Sequence, residues 1–156
     1  MATDLLIIDV QDEFETSQFV IDETIREIEL AKKRNAIITS ITYSGQGPAN
    51  SRVLSALRTY PKTYHVTKDR DGGGERVVNT YAKHKNELPK RLRVVGVNRS
   101  YCVFDTVRQL SDAAFGVIEV SQKGTWCTSP YNGMERLKKL RYNNNVKIIE
   151  NNAKFI

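Results

Sequence analysis

Disulfides and metal sites have little to be built from in this chain, whose 156 residues include two cysteines and two histidines. Cys102 and Cys127 do not make a disulfide framework for a domain of this size, and they lack the paired spacing of a zinc site. Each must be read alone, as a small buried side chain or as a reactive thiol. Long hydrophobic runs are scarce as well. Leu5-Leu6-Ile7-Ile8 is bounded by Asp4 and Asp9, far short of the roughly 20 apolar residues of a spanning helix. No basic segment precedes it, so it does not read as a secretory signal, and the expected compartment is the cytoplasm. Bases are sparse at the start of the chain. Residues 1–31 hold nine acids and one base, Arg26, whereas the remainder holds nine acids and 23 Lys or Arg, and the net charge is +6. A basic body of this kind suits nucleic acid or an anionic small substrate, or is simply a solvated surface.

Apolar runs are bounded by polar residues along the whole chain. Leu5–Val10 is continuously apolar until its acids, the pattern of a strand buried on both faces in a parallel sheet. Asp22 is placed to cap a helix running to about Arg34. Ala36–Tyr43 reads as a second strand, Asn50–Thr59 as a helix, Thr63–Thr67 as a short strand and Glu75–His84 as a helix. Arg93–Val97 reads as another buried strand, with a helix from about Cys102 to Ala114 closed by Gly116. Val117–Val120, Pro130–Leu140 and Val146–Glu150 read as strand, helix and strand. Regular alternation of strand and helix predicts one α/β domain over residues 1–156, a three-layer α-β-α sandwich with a mainly parallel, Rossmann-like sheet. In such sheets chemistry sits beyond the carboxyl ends of the strands. Asp9, Tyr43, Lys68 and Asn98 all fall at or just after such ends.

Cys102 follows the strand Val94–Val97 and the polar turn Asn98-Arg99-Ser100-Tyr101. A thiol opening a helix gains from the N–H groups and the dipole there, which favour a thiolate and can hold an oxyanion. Asp9 closes an apolar strand, where a carboxylate is costly without a partner. Lys68, also at a strand end, is a candidate for that partner and for an influence on the thiol.

These residues resemble the isochorismatase-like cysteine hydrolases, which include nicotinamidases, N-carbamoylsarcosine amidases and related amidases. The match runs through Leu6-Ile7-Ile8-Asp9-Val10-Gln11-Asp12-Glu13-Phe14, then Lys68, then Gly96-Val97-Asn98-Arg99-Ser100-Tyr101-Cys102-Val103, with Thr106 and Gly116 behind. The resemblance spans about residues 4–120 in the order Asp, Lys, Cys. It implies the isochorismatase-like hydrolase fold and hydrolysis of a C–N bond through a thioester on Cys102, with Asp9 shuttling the proton and Lys68 positioning Asp9. It implies an oxyanion held by backbone N–H groups of Cys102 and of a residue near Asn98, and a cis peptide at Val97–Asn98. Gln11, Phe14, Tyr43, Asn98, Arg99 and Tyr101 become the candidate substrate-binding residues, with Trp126 as a further wall. No cofactor is implied, and the implied partners are a small-molecule substrate, anionic if the basic body draws it in, and further copies of the chain in a dimer or tetramer. Neither a membrane nor nucleic acid is the expected partner.

The sequence departs from nicotinamidases where they carry an Asp-x-His pair of metal ligands. Here the stretch is Thr39-Ser40-Ile41-Thr42-Tyr43-Ser44-Gly45, so no metal site is expected. His65 reads as structural, His84 as exposed and Cys127 as incidental. Asp69-Arg70-Asp71-Gly72-Gly73-Gly74 replaces the usual segment after Lys68. Two alternatives stand beside the hydrolase: a non-catalytic ligand-binding relative with an unreactive Cys102, and a metal-dependent nuclease drawing on Asp9, Asp12, Asp69, Asp71 and Asp105.

Overall fold

A computed structural model of the chain describes residues 3–113, 115–126, 134–140 and 145–150. Six strands form one sheet, and every pairing in it is parallel: β1 (Asp4–Ile8), β2 (Ile38–Tyr43), β3 (Thr63–Lys68), β4 (Arg91–Val97), β5 (Val117–Trp126) and β6 (Val146–Ile149). Their order across the sheet is β3-β2-β1-β4-β5-β6. The chain therefore winds outwards from β1 to β3, then returns to the other side of β1 with β4. In sheets of this kind the ligand crevice lies where the winding reverses, here beyond the carboxyl ends of β1 and β4.

Strand alternation sorts the core into two layers. Leu5, Ile7, Ile38 and Val95 pack with Ile21 and Ile28 of α1 (Gln18–Lys33) and with Val53 and Leu57 of α2 (Ser51–Leu57). Leu6, Ile8, Ile41 and Val94 pack on the opposite face with Val77 and Tyr81 of α3 (Gly74–Lys83), Val107 and Leu110 of α4 (Phe104–Asp112), and Leu137 of α5 (Met134–Lys139). The β1 run is apolar throughout because both its faces are covered. Among the described residues no helix is long and apolar enough to cross a membrane.

Several element boundaries differ from the sequence expectation. Helix α1 starts at Gln18, not after Asp22, because Ser17 caps it by accepting a hydrogen bond from Phe19 N at 3.2 Å. Asp22 sits a turn inside the helix and pairs with Arg52 at 2.8 Å. Strand β5 continues six residues past Val120, through a polar stretch that reads as a loop. Its pairing with β4 jumps from Val94↔Val120 to Gly96↔Thr125. The resulting bulge is closed by Gly124 N donating to Ser121 Oγ and Thr125 Oγ1 donating to Ser121 O. His65 is exposed rather than structural, because β3 is the sheet's edge. His84 is exposed as expected and stacks on Tyr64 with ring centroids 3.9 Å apart. Cys127 and the expected start of the last helix, 130–133, lie outside the described residues.

Candidate active site

The end of β1 brings Asp9 to the crevice. Asp9 N still donates to Ile41 O at 3.0 Å, but the residue's φ of 53° lies in the left-handed region. That conformation is uncommon for a side-chain-bearing residue, and Asp and Asn tolerate it best. The carboxylate is fully buried.

Lys68 closes β3, two strands from β1, so its ammonium must cross roughly 10 Å of sheet edge. Its long stem does this beneath Gly73, where a Cβ would lie 3.1 Å from Lys68 Cδ and 3.0 Å from Ile41 Cδ1. Nζ ends 2.8 Å from Asp9 Oδ2. It donates to Arg70 O at 2.8 Å, Asp71 O at 3.0 Å and Cys102 Sγ at 3.3 Å, and lies 4.1 Å from the centre of the Tyr43 ring. Three directed bonds use the three ammonium protons. The contact with Asp9 is a buried ion pair at hydrogen-bonding distance.

Cys102 follows β4. Gly96 lets β4 pass close to β1, since its φ is 135° and a Cβ there would stand 2.0 Å from Ile8 O. The Val97–Asn98 peptide is cis, as the resemblance implies. The chain then makes a π-type turn over Arg99–Val103, closed by Val103 N donating to Asn98 O at 3.1 Å, and only afterwards enters α4. Cys102 thus belongs to the widened turn before the helix rather than to the helix's first residue. Burial, then the Asp9 charge, push its thiol up to about 12, against the pull of Lys68. Burial likewise raises the Asp9 carboxyl, and Lys68 opposes it. The resting arrangement is a buried carboxylate–ammonium pair beside a neutral thiol.

The other candidates divide between crevice and frame. Gln11 is fully buried; its amide donates to Tyr43 O, Gln46 O and Gly47 O and accepts from Tyr43 N, which fixes the turn after β2. Phe14 packs on Tyr43 with ring centroids 6.1 Å apart. Asn98 has a buried side-chain oxygen with no partner among the described residues. Arg99 is buried and bonds Thr125 Oγ1, Thr125 O and Gln122 O, tying the turn to β5. Tyr101 and Trp126 remain partly exposed. The structure therefore gathers Asp9, Lys68, Cys102 and Tyr43, and sets Gln11 and Arg99 into their supports.

Three further residues enter the site. Asp71 Oδ1 lies 3.9 Å from Cys102 Sγ and 3.5 Å from Tyr43 Oη. Thr106 Oγ1 accepts from Gly73 N at 2.9 Å and Gln109 Oε1 from Gly74 N at 2.8 Å, clasping the glycine loop to α4. Thr106 carried a sequence signal through the resemblance and Asp71 only as one of the acids of the nuclease alternative, whereas Gln109 carried none. Among the described residues no three metal-ligating side chains are grouped to hold an ion.

This architecture is shared with known enzymes. A nicotinamidase from Staphylococcus aureus superposes with a TM-score of 0.79 at 14% identity, over 96% of this chain and 99% of that one. The fold is that of the isochorismatase-like hydrolases. The YcaC product of Escherichia coli, described as an octameric hydrolase of unknown specificity, has a TM-score of 0.76 at 12% identity over 96% of this chain and 75% of that one. The MAR1 ribonuclease of Caenorhabditis elegans has a TM-score of 0.79 at 16% identity over 95% and 76%. No family model matches the chain, and no curated protein matches it by sequence.

Proposed function

We propose that the chain is a cysteine hydrolase that cleaves the C–N bond of a small amide or carbamoyl compound. The carrying observation is the single ammonium of Lys68, 2.8 Å from Asp9 and 3.3 Å from Cys102 Sγ. Asp9 accepts the thiol proton as Sγ attacks the carbonyl carbon. Collapse of the tetrahedral adduct breaks the C–N bond, and Asp9 returns the proton to the departing amine. Water then attacks the thioester, with Asp9 again as base, and the thiol is restored. A thiol held neutral by burial suits this course, because its proton leaves to Asp9 only as the bond to carbon forms. Backbone N–H groups of Cys102 and of a residue near Asn98 hold the oxyanion. Phe14, Tyr43, Tyr101 and the Asn98 amide line the substrate's approach, while Gln11 and Arg99 act by holding the walls.

The mechanism needs Cys102 as a thiol, which suits the reducing cytoplasm. A homo-oligomer, dimer or tetramer, belongs to the same reading, and an octameric neighbour of this fold is in keeping with it.

The ribonuclease among the neighbours, together with the net charge of +6, favours a second reading in which RNA is the substrate. The two separate in one experiment. Ammonia release is followed over small amides, ureas and N-carbamoyl compounds, beside RNA incubated with and without chelator, for the wild type and Cys102→Ala. The hydrolase reading expects ammonia release that the substitution abolishes and RNA left whole. Equal turnover by both proteins removes the nucleophile. RNA cleavage without amide turnover establishes the second reading, and an inert Cys102 leaves only a binding protein.

A further inference from the structure

We infer that Asp71 sets the charge specificity of the Cys102 site, selecting substrates that carry a cation or a cluster of N–H donors beside the scissile carbonyl (an amino-, amidino- or guanidino-bearing amide) and rejecting carboxylate-bearing ones. The inference rests on the hydrolase reading and names its substrate class.

The two carboxylates near the sulfur are not equivalent. Asp9 is fully buried and neutralised by Lys68. Asp71 is exposed, and its Oδ1 stands 3.9 Å from Sγ. Lys68 donates to the backbone carbonyl of Asp71, not to its carboxylate. Among the described residues no lysine or arginine forms an ion pair with that carboxylate. A molecule approaching the thiol therefore meets one uncompensated negative charge.

Among the described residues the arginines nearest this turn are engaged with other partners: Arg136 donates to Ser100 O at 2.7 Å and lies over the Phe104 ring. Arg70 and Arg76 line a neighbouring cleft of about 500 Å³ together with Asp69 and Glu75, and the walls of that cleft include neither Cys102 nor Asp71. Arg76 lies 3.8 Å from Asp69. Arg99 is spent on Thr125 and the Gln122 carbonyl. Two tyrosines belong to the same region. The Tyr43 hydroxyl lies 3.5 Å from Asp71 Oδ1, and Tyr101, next in chain to Cys102, is 48% exposed. Ring faces beside a carboxylate attract cations and gain nothing from anions. The site thus opposes the anionic substrate that overall charge suggests.

Asp71 is also held in place. Its loop is clasped at Gly73 by Thr106 and at Gly74 by Gln109, so the carboxylate keeps its position over the thiol when a substrate enters.

The test reads the field at the sulfur without needing turnover. Wild type, Asp71→Asn and Asp71→Glu are treated with a cationic and an anionic methanethiosulfonate, and the Cys102 peptide is followed by mass spectrometry. In each case the thiolate displaces sulfinate and forms a mixed disulfide. The ratio of the two rates, normalised to the same ratio for 2-mercaptoethanol, cancels any change in thiol ionisation. A unit charge about 5 Å away in largely aqueous surroundings biases that ratio by about tenfold. Wild type and Asp71→Glu are expected to favour the cationic reagent by about that factor, and Asp71→Asn to lose the preference. A wild-type ratio near one, or a ratio untouched by Asp71→Asn, overturns the inference. Failure of the hydrolase reading shows separately, as the absence of ammonia release. Where amides are turned over, an amino-bearing substrate is expected to exceed its carboxylate-bearing counterpart about tenfold in kcat/KM for wild type only; equal values overturn the assignment.

Discussion

Replacing Asp9 by Asn separates two ways in which the carboxylate could serve the cysteine. The change keeps the side chain's shape and removes its charge. If Asp9 merely helped ionise the thiol, its loss would make Cys102 harder to deprotonate. The geometry predicts the opposite. Asp9 lies within about 6 Å of Sγ, because the Lys68 ammonium reaches the carboxylate at 2.8 Å and the sulfur at 3.3 Å. Two negative charges at that outer limit repel by about 3 kcal/mol at an effective dielectric constant near 20, and closer ones by more, which is about two or more in pKa. Asp9→Asn is therefore expected to bring the thiol well down from about 12, while Lys68, freed of its counter-ion, pulls the same way. Turnover should fall by roughly 10²–10⁴, the usual contribution of a positioned proton acceptor. The thiol is read from the pH dependence of Cys102 alkylation by iodoacetamide, a neutral reagent that reports thiolate. In the wild type the rate should keep rising to pH 10 without a plateau, and in the variant the curve should shift to lower pH. An unmoved or upward-shifted curve refutes the picture of a thiol kept neutral by its own base. The variant leaves Lys68 buried without its partner, at a cost of about 3–5 kcal/mol, so thermal melting must first show that it folds.

Two further outcomes follow from the backbone and from the buried hydroxyl and thiol. Gly96→Ala sets a Cβ 2.0 Å from Ile8 O at a φ of 135°, and overpacking against backbone plus the strained φ should cost about 4 kcal/mol; urea unfolding reads it, and an unchanged midpoint would show that β1 and β4 can part. Burial keeps both Cys102 and Tyr81 protonated in the fold above their ordinary values of 9.0 and 10.0. The unfolded chain then releases protons that the fold retains, so stability falls as pH rises past 9, by up to about 1.4 kcal/mol per pH unit for each group. Cys102→Ala should flatten the first part of that decline in melts taken between pH 8 and pH 11, and an identical decline in both proteins would count against the buried thiol.

Much of the fold was legible because burial writes itself plainly into a parallel sheet. Leu5–Ile8 is covered on both faces and is apolar without interruption, and its end is marked by Asp9, the first charged residue after the run. The misjudged boundaries have local causes. Asp22 and Ser17 are both good caps, and the choice between them rests on the burial of Val20 and Ile21, which places the helix start a turn before Asp22. The extension of β5 rests on bonds closing around Ser121, and a polar stretch folded into a bulge has the same composition as a loop.

The site was legible only in part, and the difference follows from what fixes each side chain. Lys68 belongs to a strand; its register opposite Tyr43 is set by β3 pairing with β2, so its place at the sheet edge could be read from the short strand pattern of Thr63–Thr67 before it. Asp71 lies three residues further, in the run Lys68-Asp69-Arg70-Asp71, where charge alone does not say which side chain turns inward. Its position is settled by hydrogen bonds from Gly73 and Gly74 to Thr106 and Gln109, 33 and 35 residues away in the chain. The three glycines carry the one local trace of this. A Cβ at Gly72 or Gly74 would fall 2.4 Å or 2.5 Å from Gln109 atoms, and one at Gly73 would press on the Lys68 stem. By composition, three glycines suggest a loose loop. Packed against α4 and over a lysine they do the reverse, drawing the loop tight enough that its carbonyls hold the ammonium and its carboxylate overlooks the thiol.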